Sequence, residues 1–106
     1  MSKAIKSITI NGNTYVAKEF DFNMICDMQE MGIDIAQAKK VPMAMVRAYI
    51  AICMGVEKDE AGVEIESHVL NGGNLDKATE ALLNKFENSD FFRKMSERAT
   101  ENLAEN

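Results

Sequence analysis

The chain carries one histidine, two cysteines and no tryptophan, and its longest apolar stretch, near Tyr49–Val56, is far too short to span a bilayer. Each scarcity points away from a class of function. His68 has no cysteine, serine or carboxylate at a spacing that assembles a triad or a zinc site. It reads as a surface or boundary residue of a helix. Cys26 and Cys53 form no Cys-x-x-Cys pair, lie in helix-like segments and read as reduced core residues of an intracellular chain. Gly72-Gly73 precedes Asn-Leu-Asp with no lysine placed to reach a phosphate, so it reads as a helix stop followed by a helix start. The acidic run Glu57, Asp59, Glu60, Glu64 and Glu66 lacks the alternating oxygen ligands and closing glutamate of a calcium loop. It is better explained as a solvated helix start, where negative charge is favourable. The opening MSKAIKSITI shows neither a long apolar run nor a small-residue cleavage site, so no secretory signal is expected. No catalytic set, cofactor or metal is expected.

What the chain does have is an ordinary globular composition. Its 106 residues are 46% hydrophobic, enough for one domain over 1–106. A domain of this size hides roughly two-thirds of the surface that its unfolded chain exposes, so it needs no metal or disulfide to fold. The formal charge is −5 and uneven: residues 1–50 hold six Lys/Arg against five Asp/Glu, and residues 51–106 hold six against twelve. An acidic C-terminal half repels a phosphate backbone, and Lys39, Lys40 and Arg47 make a weak cationic footprint, so nucleic acid is not an expected partner. Eight methionines suggest an adaptable core or contact surface, because an unbranched thioether fills irregular gaps and repacks against different partners.

The pattern of the first residues is that of a strand. Ile8 and Ile10 alternate with Ser7 and Thr9, Asn11-Gly12 suits a tight hairpin turn, and Thr14, Tyr15 and Val16 supply the return. A hairpin is expected over about 5–18, and it must pack on something to be stable. The rest, about 21–103, reads as helices. Asp21 or Asn23 caps the first, with Met24, Ile25, Met28 and Met31 on its apolar face and Gly32 as its stop; Ile33 and Ile35 tuck a short loop down. Pro42 opens the second, which runs through Val46, Tyr49, Ile50 and Cys53 to Gly55. Asp59 caps a third carrying Ala61, Ile65 and Val69, and Asn74 caps a fourth with the stripe Leu75, Ala78, Leu82, Leu83 and Phe86. Ser89 and Asp90 interrupt that stripe before Phe91, Phe92, Met95 and Ala99, which leaves open whether 74–103 is one helix or two. There is no internal repeat. The expected fold is α+β: an N-terminal β-hairpin on a small bundle of four to five helices.

Two features suggest protein contacts. The methionines Met24, Met28, Met31, Met43, Met45 and Met54 fit either a core or an adaptable groove for helical partners. Phe91 and Phe92 diverge by ~100° on a helix, so one ring can face the core while the second either closes the core of a crowded bundle or docks on another chain. Met28, Met45, Tyr49 and Phe92 are taken as candidate partner-binding residues.

The segments in order also resemble a known family. ITINGNTYVAKEFDFNMICDMQEMGID, VPMAMVRAYIAICMG, EIESHVLNGGNLDKATEALL and NSDFFRKMSE together are similar to the small tail assembly chaperones of long-tailed (siphovirus-type) bacteriophages and prophages, over about residues 6–98. The resemblance is carried by the Ile-Asn-Gly-Asn-Thr-Tyr hairpin, Phe20-Asp21-Phe22-Asn23, the Met31-Gly32-Ile33 stop, Arg47-Ala48-Tyr49 and Ser89-Asp90-Phe91-Phe92. It implies binding of the tape-measure protein, which is kept soluble while tail-tube subunits are recruited. It also implies self-association, action in the cytoplasm of the bacterial host and absence from the mature virion. The alternatives are a structural minor tail or head–tail connector protein, which stays in the particle, and a small phage regulator that binds a host protein.

Overall fold

The computed structural model describes residues 5–34, 40, 42–91, 93, 94 and 97. Strands β1 (Ser7–Ile10) and β2 (Asn13–Val16) pair antiparallel, with Ile8 opposite Tyr15 and Ile10 opposite Asn13. Both turn residues take positive φ, Asn11 at 53° and Gly12 at 79°, the pairing that matches the natural twist of a two-residue hairpin. Period two then decides the packing. Ile8 and Ile10 are buried, while Ser7 and Thr9 face water.

Four helices follow among the described residues: α1 (Phe22–Glu30), α2 (Pro42–Met54), α3 (Lys58–Leu70) and α4 (Asp76–Glu87). The fold is the expected α+β hairpin on a helical bundle. α2 is its centre, with buried residues at every position from Ala48 to Cys53, and it packs against α1, α3, α4 and β2. A helix apolar all round is a buried helix, whereas α1 and α4 are amphipathic and cover it. β1 lies against α3 and α4.

The caps follow local chemistry in part. Asp21 is the N-cap of α1, and its Oδ1 accepts the Met24 N–H at 2.9 Å. At the other end, Gly32 has φ 89°, its N–H bonds to the Gln29 carbonyl, and the Ile33 N–H bonds to the Met28 carbonyl. That double bond closes the helix and drops Ile33 into the core against Met28. α3 differs from expectation: it begins at Lys58 behind Glu57, whose side chain makes no cap bond, and Asp59 lies in its first turn. Similarly, the N-cap of α4 is Leu75, and Asn74 sits one residue earlier with its Oδ1 accepting the Asp76 N–H at 3.0 Å. The expected stripes also run out at their edges, since Val69 and Leu83 are exposed.

α4 stops at Glu87, and the chain turns helical again at Asp90 and Phe91, so the segment is broken at Asn88-Ser89. The break is held. Ser89 Oγ donates to the Phe20 carbonyl at 2.6 Å, and the Arg93 N–H bonds back to the Ser89 carbonyl. Phe91 stands edge-on to Phe22 at 5.6 Å. The expectations for Ile35, Phe92, Met95 and Ala99 lie outside the described residues.

Candidate interaction surface

Between β2 and α1 the chain crosses α2 as a strap, Ala17–Asp21, tied down at three successive residues. The Tyr49 hydroxyl donates to the Lys18 carbonyl at 2.9 Å. The buried Lys85 ammonium meets Glu19 Oε1 at 2.8 Å. Ser89 takes the Phe20 carbonyl, as above. Phe20 itself stacks on Tyr49 at 6.0 Å and meets Phe86 edge-on at 5.5 Å. Helices α2 and α4 and the break that follows α4 thus fix the strap from beneath. Burial raises the Tyr49 phenol well above the ordinary tyrosine range, and the neighbouring Cys53 and Glu19 add to the effect. Burial likewise raises the Cys53 thiol, which lies within hydrogen-bonding reach of the Tyr49 hydroxyl. Cys53 belongs to the buried core cluster.

The strap forms one wall of an open groove whose other walls are α1 and the end of α2. Two adjoining depressions, about 400 and 380 Å³, share Lys18, Asp27 and Ile52. The apolar residues of their lining are Val16, Met24, Met31, Ile52 and Val56, of which Met24 and Ile52 are buried and Val16, Met31 and Val56 reach the surface. Their rim carries Glu19, Asp21, Asp27, Glu30 and Glu57, and among the described residues Lys18 is the one cation in the lining. The C-terminal ends of α1 and α2 both border the second depression, and neither has a basic residue in its last turn. The C-terminal end of each helix is the negative pole of its backbone dipole. A smaller hollow of about 290 Å³ lies between α2 and α3 and is lined by Met43, Ala44, Val46, Arg47, Gly62, Ile65 and Leu75. Met43 is exposed at its edge. Elsewhere Phe22, Val63 and Leu70 are more than half exposed.

His68 is a structural clamp. Its Nδ1 accepts the Asn11 backbone N–H at 2.9 Å, and its Nε2 lies 3.1 Å from the Asn74 carbonyl. An amide can only donate and a carbonyl can only accept, so the proton of the neutral ring resides on Nε2. Asn11 Nδ2 also donates to Glu64 Oε2 at 2.7 Å. The hairpin turn is thereby pinned to α3 and to the loop that follows it. The ring rests on Gly73, where an added Cβ would come within 2.5 Å of Nε2.

Three of the four candidate partner-binding residues belong to the core. Met28 and Tyr49 have no exposed surface and Met45 is buried, so the faces that carry them are covered by this chain's own elements. Periodicity marks a face as apolar without saying whether its cover comes from the same chain. Alanine at Met28 or Met45 would remove core volume, at about 2–5 kcal/mol, and a loss of binding would report damage to the fold. Phe92 lies outside the described residues. The groove went unread in the sequence although a signal was present: from Glu19 to Ala38 the chain has five carboxylates and no Lys or Arg. Among the described residues no group of three or more His, Cys, Asp and Glu side chains is arranged to hold a metal ion, and no helix is long and apolar enough to cross a membrane. Comparison with protein-family models, curated proteins and solved structures finds no match.

Proposed function

We propose that this chain is a tail assembly chaperone of the long-tailed phage kind. It binds the tape-measure protein, keeps that long helical chain soluble and recruits tail-tube subunits, acting in the host cytoplasm and leaving before the virion is complete. The observation that carries the reading is the ordered resemblance over about residues 6–98. The fold supports it physically. A small bundle with a groove edged by Val16, Met31 and Val56, an apolar hollow and several exposed apolar side chains offers surfaces on which an amphipathic helix can lie. The net charge of −5 favours a complex that stays in solution.

The test is co-expression with the long helical protein encoded nearby, followed by affinity purification and sizing. Stable co-purification of the two is expected. A tape-measure protein that precipitates while this chain runs alone would refute the assignment, and finding the chain in mature particles would favour a structural tail component instead.

A further inference from the structure

We propose that the groove between the strap and the ends of α1 and α2 takes a basic amphipathic helix, with its apolar side on Val16, Met31 and Val56 and its Lys or Arg side chains over Asp27, Glu30 and Glu57. This deepens the chaperone reading, on which it rests for the partner's identity, by naming the surface and the chemistry that it selects.

The argument is one of charge left open. Glu19 is neutralised by Lys85, and Asp21 is engaged in capping α1. Asp27, Glu30 and Glu57 form no ion pair among the described residues. Asp27 and Glu30 lie in the last turn of α1, where cations are favoured and where the helix supplies none, and Glu57 is the N-cap of α3 across the depression. A folded chain gains from a cation at such a place, and this one leaves it to an incoming group. Val16, Met31 and Val56 set the other half of the specificity, because accessible apolar side chains flanked by one sign of charge match a helix with an apolar stripe flanked by the other. The strap makes this wall rigid. Its carbonyls at Lys18 and Phe20 are held from below, so the groove is preformed and little ordering cost falls on binding.

The probe is a synthetic helix of about 18 residues, some 27 Å long, with a leucine stripe flanked by Lys and Arg. Its control keeps the stripe and carries Glu instead. Titration calorimetry should show binding of the basic peptide alone, weakening steeply with salt as screening shortens the range of the rim charges. The triple variant Asp27→Asn/Glu30→Gln/Glu57→Gln should bind about tenfold more weakly, with its helical circular dichroism at the assay temperature retained. The triple Glu60→Gln/Glu66→Gln/Glu80→Gln, which removes the same charge from exposed sites outside the groove lining, should change binding less than about twofold. Equal affinity for both peptides, or equal losses in both triples, overturns the proposal. So does a groove triple that alters only self-association in sedimentation velocity, since the occupant would then be a second copy. The two readings separate in co-expression. If the groove triple still captures the tape-measure protein at full strength, the groove assignment falls and the chaperone reading stands. If the unaltered chain captures none, the chaperone reading falls whatever the peptide does.

Discussion

The clamp at His68 makes a prediction in which one substitution changes sign with its background. Gly73 has no positive φ, so alanine is conformationally acceptable there, and what forbids it is the imidazole lying against its α-carbon. In the unaltered protein, Gly73→Ala must displace the ring and break its bonds to the Asn11 N–H and the Asn74 carbonyl. A typical net value is about 0.5–1.5 kcal/mol per hydrogen bond, so the cost should be about 1–2 kcal/mol, with the exposed Asn74 bond contributing the smaller part. That loss lowers the melting temperature by about 4–8 °C per kcal/mol in a domain of this size. His68→Ala should cost a similar amount, since it removes the same two bonds. In the His68→Ala background the obstacle is gone, and Gly73→Ala should stabilise by up to about 0.5–1 kcal/mol, because alanine restricts the unfolded chain. Urea denaturation of the four proteins closes the cycle. Simple additivity, with Gly73→Ala equally harmful in both backgrounds, would refute the clamp. Gly72 provides the contrast. Its φ of 96° makes alanine costly, by about 1–2 kcal/mol, whatever occupies position 68.

Two further outcomes follow from the strap. Glu19→Ala should destabilise the protein by stranding the buried Lys85 ammonium, whereas Lys85→Met should be close to neutral and should abolish the cost of Glu19→Ala, as read by urea midpoints of the single and double variants; because Glu19 is largely solvent-exposed, the effect is about 1–2 kcal/mol and not the 3–5 of a fully buried pair. Stability should also fall in alkali. The Tyr49 phenol and Cys53 thiol ionise near 10 and 9 in the unfolded chain and higher when folded, so the unfolded chain releases protons first; the stability is complete below about pH 9 and is lost as the pH climbs beyond, and the Tyr49 phenolate signal at about 295 nm should appear together with loss of helical circular dichroism. Phenolate absorbance from Tyr49 in the still-folded protein would contradict its burial.

What the sequence revealed and what it concealed divide along the range of the interactions. The hairpin, the Asp21 cap, the Gly32 stop and the Pro42 start rest on contacts within a few residues, and a local reading finds them. Buried Lys85 sits on the same stripe as Ala78, Ala81 and Leu82, yet a lysine there reads as surface until Glu19, sixty-six residues away in sequence, supplies its partner. The His68 clamp is likewise invisible locally, because Asn11 lies fifty-seven residues off. Met28 and Tyr49 look like contact residues in the sequence because an apolar stripe reads the same whether its own chain or another protein covers it. The groove was obscured differently: counting charge over residues 1–50 averages the acidic stretch of α1 with the lysines on either side of it.

The most direct test of the central claim is a holdase measurement. Denatured tape-measure protein is diluted into buffer with increasing amounts of this chain, and aggregation is followed by light scattering. Suppression that saturates at a fixed molar ratio, and that an equal mass of an unrelated acidic protein does not reproduce, is the predicted result. Scattering that is indifferent to this chain at any ratio would contradict the account.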